Sequence, residues 1–203
     1  MLTGLSLSTV ALLLVAGVVL DLLLGETRRW HPLVGFGNLA SFIERRLNRG
    51  NLRLPRGSLA WALAVLPLTA LFMVLTDAAG LWLHAVLLYL CIGLRSLRDH
   101  TIPIYEALRG GDLAQARALT ARIVSRDTAN ASESDLAKAS AESLLENGND
   151  AVFGTLFWFI LLGGPGAVLF RLANTLDAMW GYRSARFNLF GRPAARIDDV
   201  MNY

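Results

Sequence analysis

Glu142 and Glu146 stand four residues apart, and Asp150 follows. On a helix that spacing puts the two glutamates on one face, where like charges repel mildly. A bound cation or a substrate amine would relieve them. A solvated face, partly compensated by Lys138 one turn before Glu142, accounts for the same spacing. Farther on come Asn174, Asp177, Tyr182 and Arg183, then Arg196, Asp198 and Asp199, directly after apolar segments long enough to enter a bilayer. So many directional polar groups beside hydrocarbon-facing helices point to chemistry or recognition at the membrane surface. Arg171 lies inside an apolar region. A cation at mid-bilayer costs about 2.5–3.5 kcal/mol on insertion scales. It therefore needs an anionic partner, a phosphate, or a place near the headgroups that its long side chain can reach.

Other spacings exclude chemistry. Gly163-Gly-Pro-Gly166 is either a phosphate-cradling loop at a helix start or a hinge, the commoner use of these residues. A P-loop is excluded, because it needs Gly-Lys-Ser/Thr and the one lysine, Lys138, precedes Ala139. His31, His84 and His100 are too scattered for a zinc motif, and the single Cys91 forms no intrachain disulfide.

The elements that must position these groups are membrane helices. The chain has 203 residues, 54% of them hydrophobic, with a mean hydropathy of +0.46, too apolar for an ordinary soluble domain. Nineteen Lys and Arg face sixteen Asp and Glu, and no basic run resembles a nucleic-acid patch, so no nucleic-acid partner is expected. Residues 5–24 form a first span with Asp21 near its inner end, either an interfacial residue or part of a site. No cation precedes Arg28, which argues against a signal peptide. Residues 59–76 form a second span, with Pro67 tolerable in a membrane helix, and 78–94 a third after a tight turn. The apolar region 151–173 is broken by its Gly-Pro cluster, and neither half is long enough to cross. It is one kinked crossing or a re-entrant segment.

Loop charges set the orientation. Residues 25–58 hold seven arginines (28, 29, 45, 46, 49, 53 and 56) against Glu26 and Glu44, while the turn at 77–80 holds no cation. The positive-inside rule places 25–58 and 95–150 in the cytoplasm. A full crossing at 151–173 would export Arg183, Arg186, Arg192 and Arg196, so the re-entrant form is favoured. Within 95–150, Asp112 caps a helix over 113–124, and Ser132-Glu-Ser-Asp135 resembles a capping box opening a helix to about Asn147. No period-two strand pattern occurs. The expected fold is all-α: a single polytopic integral membrane domain over 1–203, with a cytoplasmic helical segment, a broken or re-entrant fourth apolar segment and a polar tail over 174–203.

Several strings together resemble the CobD/CbiB family, the membrane-bound adenosylcobinamide-phosphate synthases of cobalamin biosynthesis. They are Asp21-Leu-Leu-Leu-Gly25 with His31-Pro32; Arg126-Asp-Thr128; Glu142-Ser143 with Glu146-Asn147 and Asp150; Leu156-Phe-Trp158; Gly163-Gly-Pro165; Arg171 with Asn174-Thr-Leu-Asp177; Gly181-Tyr-Arg183; and Arg196-Ile-Asp-Asp-Val200. They follow the family's order over nearly the whole chain. Departures fall at Glu26-Thr27, Asp150-Ala151 and Gly154-Thr155, where the family carries Asp-Pro, Asp-Gly and Ala-Pro. Family members also continue well past the position of Tyr203, so the resemblance implies that this chain corresponds to an amino-terminal portion.

The resemblance implies a reaction: ATP-driven amide formation between aminopropanol, or its phosphate, and a propionate of adenosylcobyric acid. It implies ATP and Mg²⁺ as cofactors, an inner-membrane location with multiple spans, contact with the lipid bilayer, and other late cobalamin-assembly enzymes as partners. Glu142, Glu146 and Asp150 would serve Mg²⁺ or the amine, with Asp177, Asp198 and Asp199 as further metal candidates. Arg171, Arg183 and Arg196 would bind phosphate or corrin carboxylates, and Asn147 and Asn174 would orient polar groups. Tyr182 and Trp180 would lie against the corrin or form an aromatic belt. The rival reading is a non-catalytic membrane sensor or accessory protein on the same scaffold. A transporter would show broken helices in two related halves, and only one broken segment is present.

Overall fold

The computed structural model describes residues 4–26 and 31–203. Thr27, Arg28 and Arg29, used in the motif and charge readings above, lie outside the described residues. The described residues form nine α-helices and one π-helical turn, in order α1 (Leu7–Leu24), α2 (Pro32–Leu47), α3 (Arg53–Ala79), α4 (Leu81–Cys91), α5 (Leu94–Arg109), α6 (Leu113–Thr120), α7 (Glu133–Gly148), the π turn Asn149–Phe153, α8 (Gly154–Trp180) and α9 (Arg192–Met201). No strand occurs among the described residues. Side chains start several of these helices by accepting orphan backbone N–H groups. Ser6 takes the Thr9 amide, His31 takes that of Leu33 ahead of Pro32, and Asp112 that of Gln115. Ser132 and Asp135 close a reciprocal capping box.

Among the described residues, four helical stretches are long and apolar enough, by length and composition, to cross a bilayer: Leu7–Leu24, Arg53–Ala79, Leu81–Arg109 and Glu133–Trp180. Their outward residues are large and apolar, among them Leu12 and Val15 on α1 and Leu63, Leu66 and Val74 on α3, as a hydrocarbon surround requires. The second span runs past both ends of the expected 59–76, and Pro67 stays inside the helix as expected. The third breaks earlier than 94. At Ile92–Gly93 the Gly93 amide turns to the Ala151 carbonyl at 3.1 Å, and the Arg95 amide donates to Asp21 Oδ2 at 2.8 Å. A partner helix thus caps α5, which also settles Asp21. Its buried carboxylate is a joint between α1 and α5. The helix expected over 113–124 ends at Thr120, where the backbone tightens into i→i+3 bonds (Arg122 to Leu119, Ile123 to Thr120). The helix expected to stop near Asn147 instead runs through the π turn into α8.

The fourth apolar segment folds back on itself. Gly163 has φ 67° and ψ −154°, outside the helical range and open mainly to glycine. The limbs 154–162 and 164–180 return side by side. A Cβ on Gly154 would run into the Phe170 ring, and one on Gly166 into the Trp158 carbonyl. Asp150 and Asn174 face each other at 3.1 Å, so the turn lies about 18 Å from their level at 1.5 Å per residue, short of a roughly 30 Å hydrocarbon core. The Gly164 amide at the turn donates to buried His84 Nδ1 at 2.9 Å, which ties the tip to α4. Both ends therefore emerge on one side, as the arginines of the tail favour. α8 is the hub of the molecule, packing against α4, α3 and α9, with Phe159, Phe170, Leu176 and Trp180 fully enclosed.

Candidate functional site

The polar ends of the helical hairpin open into a cleft of about 760 Å³ walled by α5, the α6–α7 connection, α7 and the second limb of α8. The continuous run from α7 through the π turn sets its acids along one wall. Glu142 and Glu146 lie on the exposed side of α7, and Asp150 follows in the π turn. There the extra residue per turn re-aims the chain toward α8, a common use of such bulges at functional positions. The opposing limb contributes Arg171, Asn174 and Asp177, and the chain beyond it Tyr182.

The bonding inside the cleft separates fixed groups from free ones. Asn174 Nδ2 donates to Asp150 Oδ2, and Asn147 Nδ2 is tied back to the Ser143 carbonyl at 2.8 Å. Glu142 Oε2 meets Arg126 Nη2 at 2.6 Å, both half-exposed. Its compensating cation is therefore Arg126 from the α6–α7 connection, rather than Lys138 on its own helix. The Glu146 carboxylate makes no hydrogen bond or ion pair among the described residues. Arg171 is likewise without an acidic partner, and its Nε is buried with no acceptor. It sits about one helical turn deeper than Asn174 and opens to the cleft.

Eight of the expected site residues line the cleft: Glu142, Glu146, Asn147, Asp150, Arg171, Asn174, Asp177 and Tyr182. Arg183, Arg196, Asp198 and Asp199 do not. Arg183 lies in the loop after α8, while Arg196 and Asp199 are on exposed faces of α9. Asp198 is buried behind the cleft. Burial pushes its carboxyl up to about 6, helped by the charges of Asp177 and Asp150 and opposed by the Asn174 and Asn202 amides. Asn202 bonds its Oδ2 at 3.2 Å, and Oδ1 is left without a partner. Several lining residues carry no sequence signal of a role: Arg126, part of the Arg-Asp-Thr string, with Arg122, Glu26, Ser96 and His100. Glu26 Oε2 accepts from Ser96 Oγ at 3.2 Å.

No group of three or more His, Cys, Asp or Glu side chains close enough to hold a metal occurs among the described residues. Asp150 and Asp177 do offer hard oxygen donors in the cleft, which suits a cation held by one or two carboxylates and the phosphates it arrives with.

The description "CobD/Cbib protein" belongs to the family model that matches residues 14–203. A protein of Stutzerimonas stutzeri named cobalamin biosynthesis protein CobD is 54% identical over 199 residues, covering 96% of this chain and 66% of the relative. One of Chromobacterium violaceum with the same name is 49% identical, covering 95% and 65%. A probable cobalamin biosynthesis protein CobD of Pyrococcus furiosus is 37% identical, covering 92% and 66%. The chain thus spans slightly less than two-thirds of the length of these relatives. No solved structure matches it.

Proposed function

The chain belongs to the CobD/CbiB family, and from that premise we propose that it acts in cobalamin biosynthesis at the inner cell membrane as an ATP-dependent amide ligase. The substrates are adenosylcobyric acid and aminopropanol or its phosphate. A carboxylate is a poor electrophile. A propionate oxygen therefore attacks the γ-phosphorus of ATP, the bond to the β–γ bridging oxygen breaks, and ADP leaves. The amine nitrogen then attacks the acyl carbon, phosphate departs with the electron pair of the broken C–O bond, and the surplus ammonium proton passes to a carboxylate.

In this reading Glu146 takes that proton, being an unpaired acid at the cleft wall. Glu142, held by Arg126, positions the amine. Arg171 binds a phosphate or a corrin carboxylate in the bidentate manner suited to guanidinium. Asn147 and Asn174 fix neighbouring side chains, and Tyr182 offers an exposed ring to the corrin. Asp150 and Asp177 would hold Mg²⁺, which when bound neutralises phosphate charge.

The observation that carries the reading is that the Glu146 carboxylate and the Arg171 guanidinium, opposite in charge and both without partners among the described residues, line one water-facing cleft at the polar end of the hairpin. The test supplies the detergent-solubilised protein with ATP, Mg²⁺, adenosylcobyric acid and aminopropanol phosphate and follows the corrinoid by mass spectrometry. The expected product is the amide, formed with one ADP per coupling. Tight binding of adenosylcobyric acid with neither ADP nor amide would favour the sensor or accessory role instead.

A further inference from the structure

A second polar surface lies away from the cleft. The chain from the end of α2 into α3, residues 44–56, meets the loop before α9, residues 182–192. Glu44 accepts two bonds from Arg186, at 3.0 and 2.6 Å. Asn48 donates to the Arg186 carbonyl at 3.1 Å, and Arg53 to the Ala185 carbonyl at 3.2 Å. Gly57 lies so close to the Phe190 carbonyl that no side chain would fit between them.

The joined segments hold eight arginines (45, 46, 49, 53, 56, 183, 186 and 192) and one carboxylate, Glu44. That carboxylate is buried and committed to Arg186. The other seven guanidinium groups make no ion pair among the described residues. Some are steadied by backbone carbonyls, as Arg49 is by that of Arg45 at 3.0 Å. Large apolar side chains are exposed among them: Phe42, Leu52, Leu54 and Leu189, with Arg46 stacked 4.9 Å over the Phe42 ring. The patch sits where α3, a candidate span, begins.

We propose that this surface binds the headgroups of anionic phospholipids. Water alone would leave the leucines and phenylalanine unfavourably exposed, and hydrocarbon alone would leave the arginines without counter-ions. The boundary layer of an anionic membrane serves both, with phosphates for planar guanidinium groups and acyl chains for the apolar residues. The charge complementarity is one-sided, because the patch's single acid is already used. None of these arginines or exposed apolar side chains lines the cleft, so the surface stands whether or not the ligase reading holds.

The experiment places the protein in nanodiscs of phosphatidylglycerol and phosphatidylcholine and counts the lipids retained on extraction by native mass spectrometry. Phosphatidylglycerol is expected to be retained several-fold above its bulk share. In R45Q/R46Q/R192Q, which removes no hydrogen bond that fastens the two segments, retention should fall close to the bulk ratio. The lysine triple variant should keep part of the enrichment. Retention at the bulk ratio in the unaltered protein, or enrichment unchanged in the glutamine variant, would overturn the proposal. So would complete competition by inorganic phosphate at equal concentration, which would mark a soluble-anion site.

Discussion

Two places in this molecule bring an arginine and a glutamate onto neighbouring elements and treat them in opposite ways. At the α2 end, Glu44 is buried and gripped on both oxygens by Arg186, with Asn48 adding a third bond at 2.7 Å. Burial alone would push Glu44 up, but these bonds hold it below the usual carboxylate range. In the cleft, Arg171 and Glu146 have no such partners, and the Arg171 Nε is buried and unsatisfied. A closed pair is a fastener: its polar demand is met internally and nothing else is needed. Open groups carry an unmet demand, and evolution keeps such costs mainly where a ligand meets them.

Substitutions can break or sharpen that contrast. The largest expected effect is on turnover. E146Q should lower ligation by about 10²- to 10⁴-fold, the usual worth of a proton-transfer group, with no change in melting temperature. Unaltered ligation would remove Glu146 from the chemistry. R171M should weaken binding of Mg-ATP or adenosylcobyric acid by about 10- to 100-fold, as for a lost charged hydrogen bond, with stability equal or slightly higher because a buried orphan is gone.

R186M should do the reverse. It strands a buried carboxylate, read as a lower melting temperature, while ligation per folded molecule is retained. Because Glu44 is depressed in the folded state, the pair's contribution is full above its ordinary value of 4.5 and is lost as pH falls. The melting curves of R186M and the unaltered protein should therefore converge in acid.

Asp198 carries the opposite sign. Its folded-state value near 6 exceeds the ordinary 3.8, so folding takes up a proton between those limits and stability declines as pH rises through them. D198N should raise stability at pH 7.5 by up to about 3 kcal/mol and leave it unchanged below pH 4. Equal melting temperatures at pH 7.5 would show that the buried carboxyl is better solvated than its surroundings suggest.

The cleft acids were legible because Glu142 and Glu146 obey a helical spacing, and the re-entrant turn because Gly163-Gly-Pro-Gly166 interrupts apolar runs too short to cross. The fasteners were not. Asp21 caps α5 across 74 positions, His84 holds Gly164 across 80, and Arg186 reaches Glu44 across 142. No local period links such residues, and each side chain alone looks like an ordinary interfacial polar group. For Glu142, helical spacing offers only the partial compensation of Lys138. Its cation, Arg126, arrives from the connection to α6, whose path depends on how Ser143 Oγ catches the Ile123 carbonyl at 3.0 Å. The departure at Gly154 has a packing reason as well, since the Phe170 ring takes the space a side chain would need.

The most direct test of the open cleft is calorimetric titration of adenosylcobyric acid, with Mg-ATP present, into the detergent-solubilised protein and into R171M. The expected result is saturable binding to the unaltered protein and at least about tenfold weaker binding to R171M, at matching melting temperatures. Equal affinities in the two proteins would contradict the assignment of Arg171 and its cleft as the place where substrate is held.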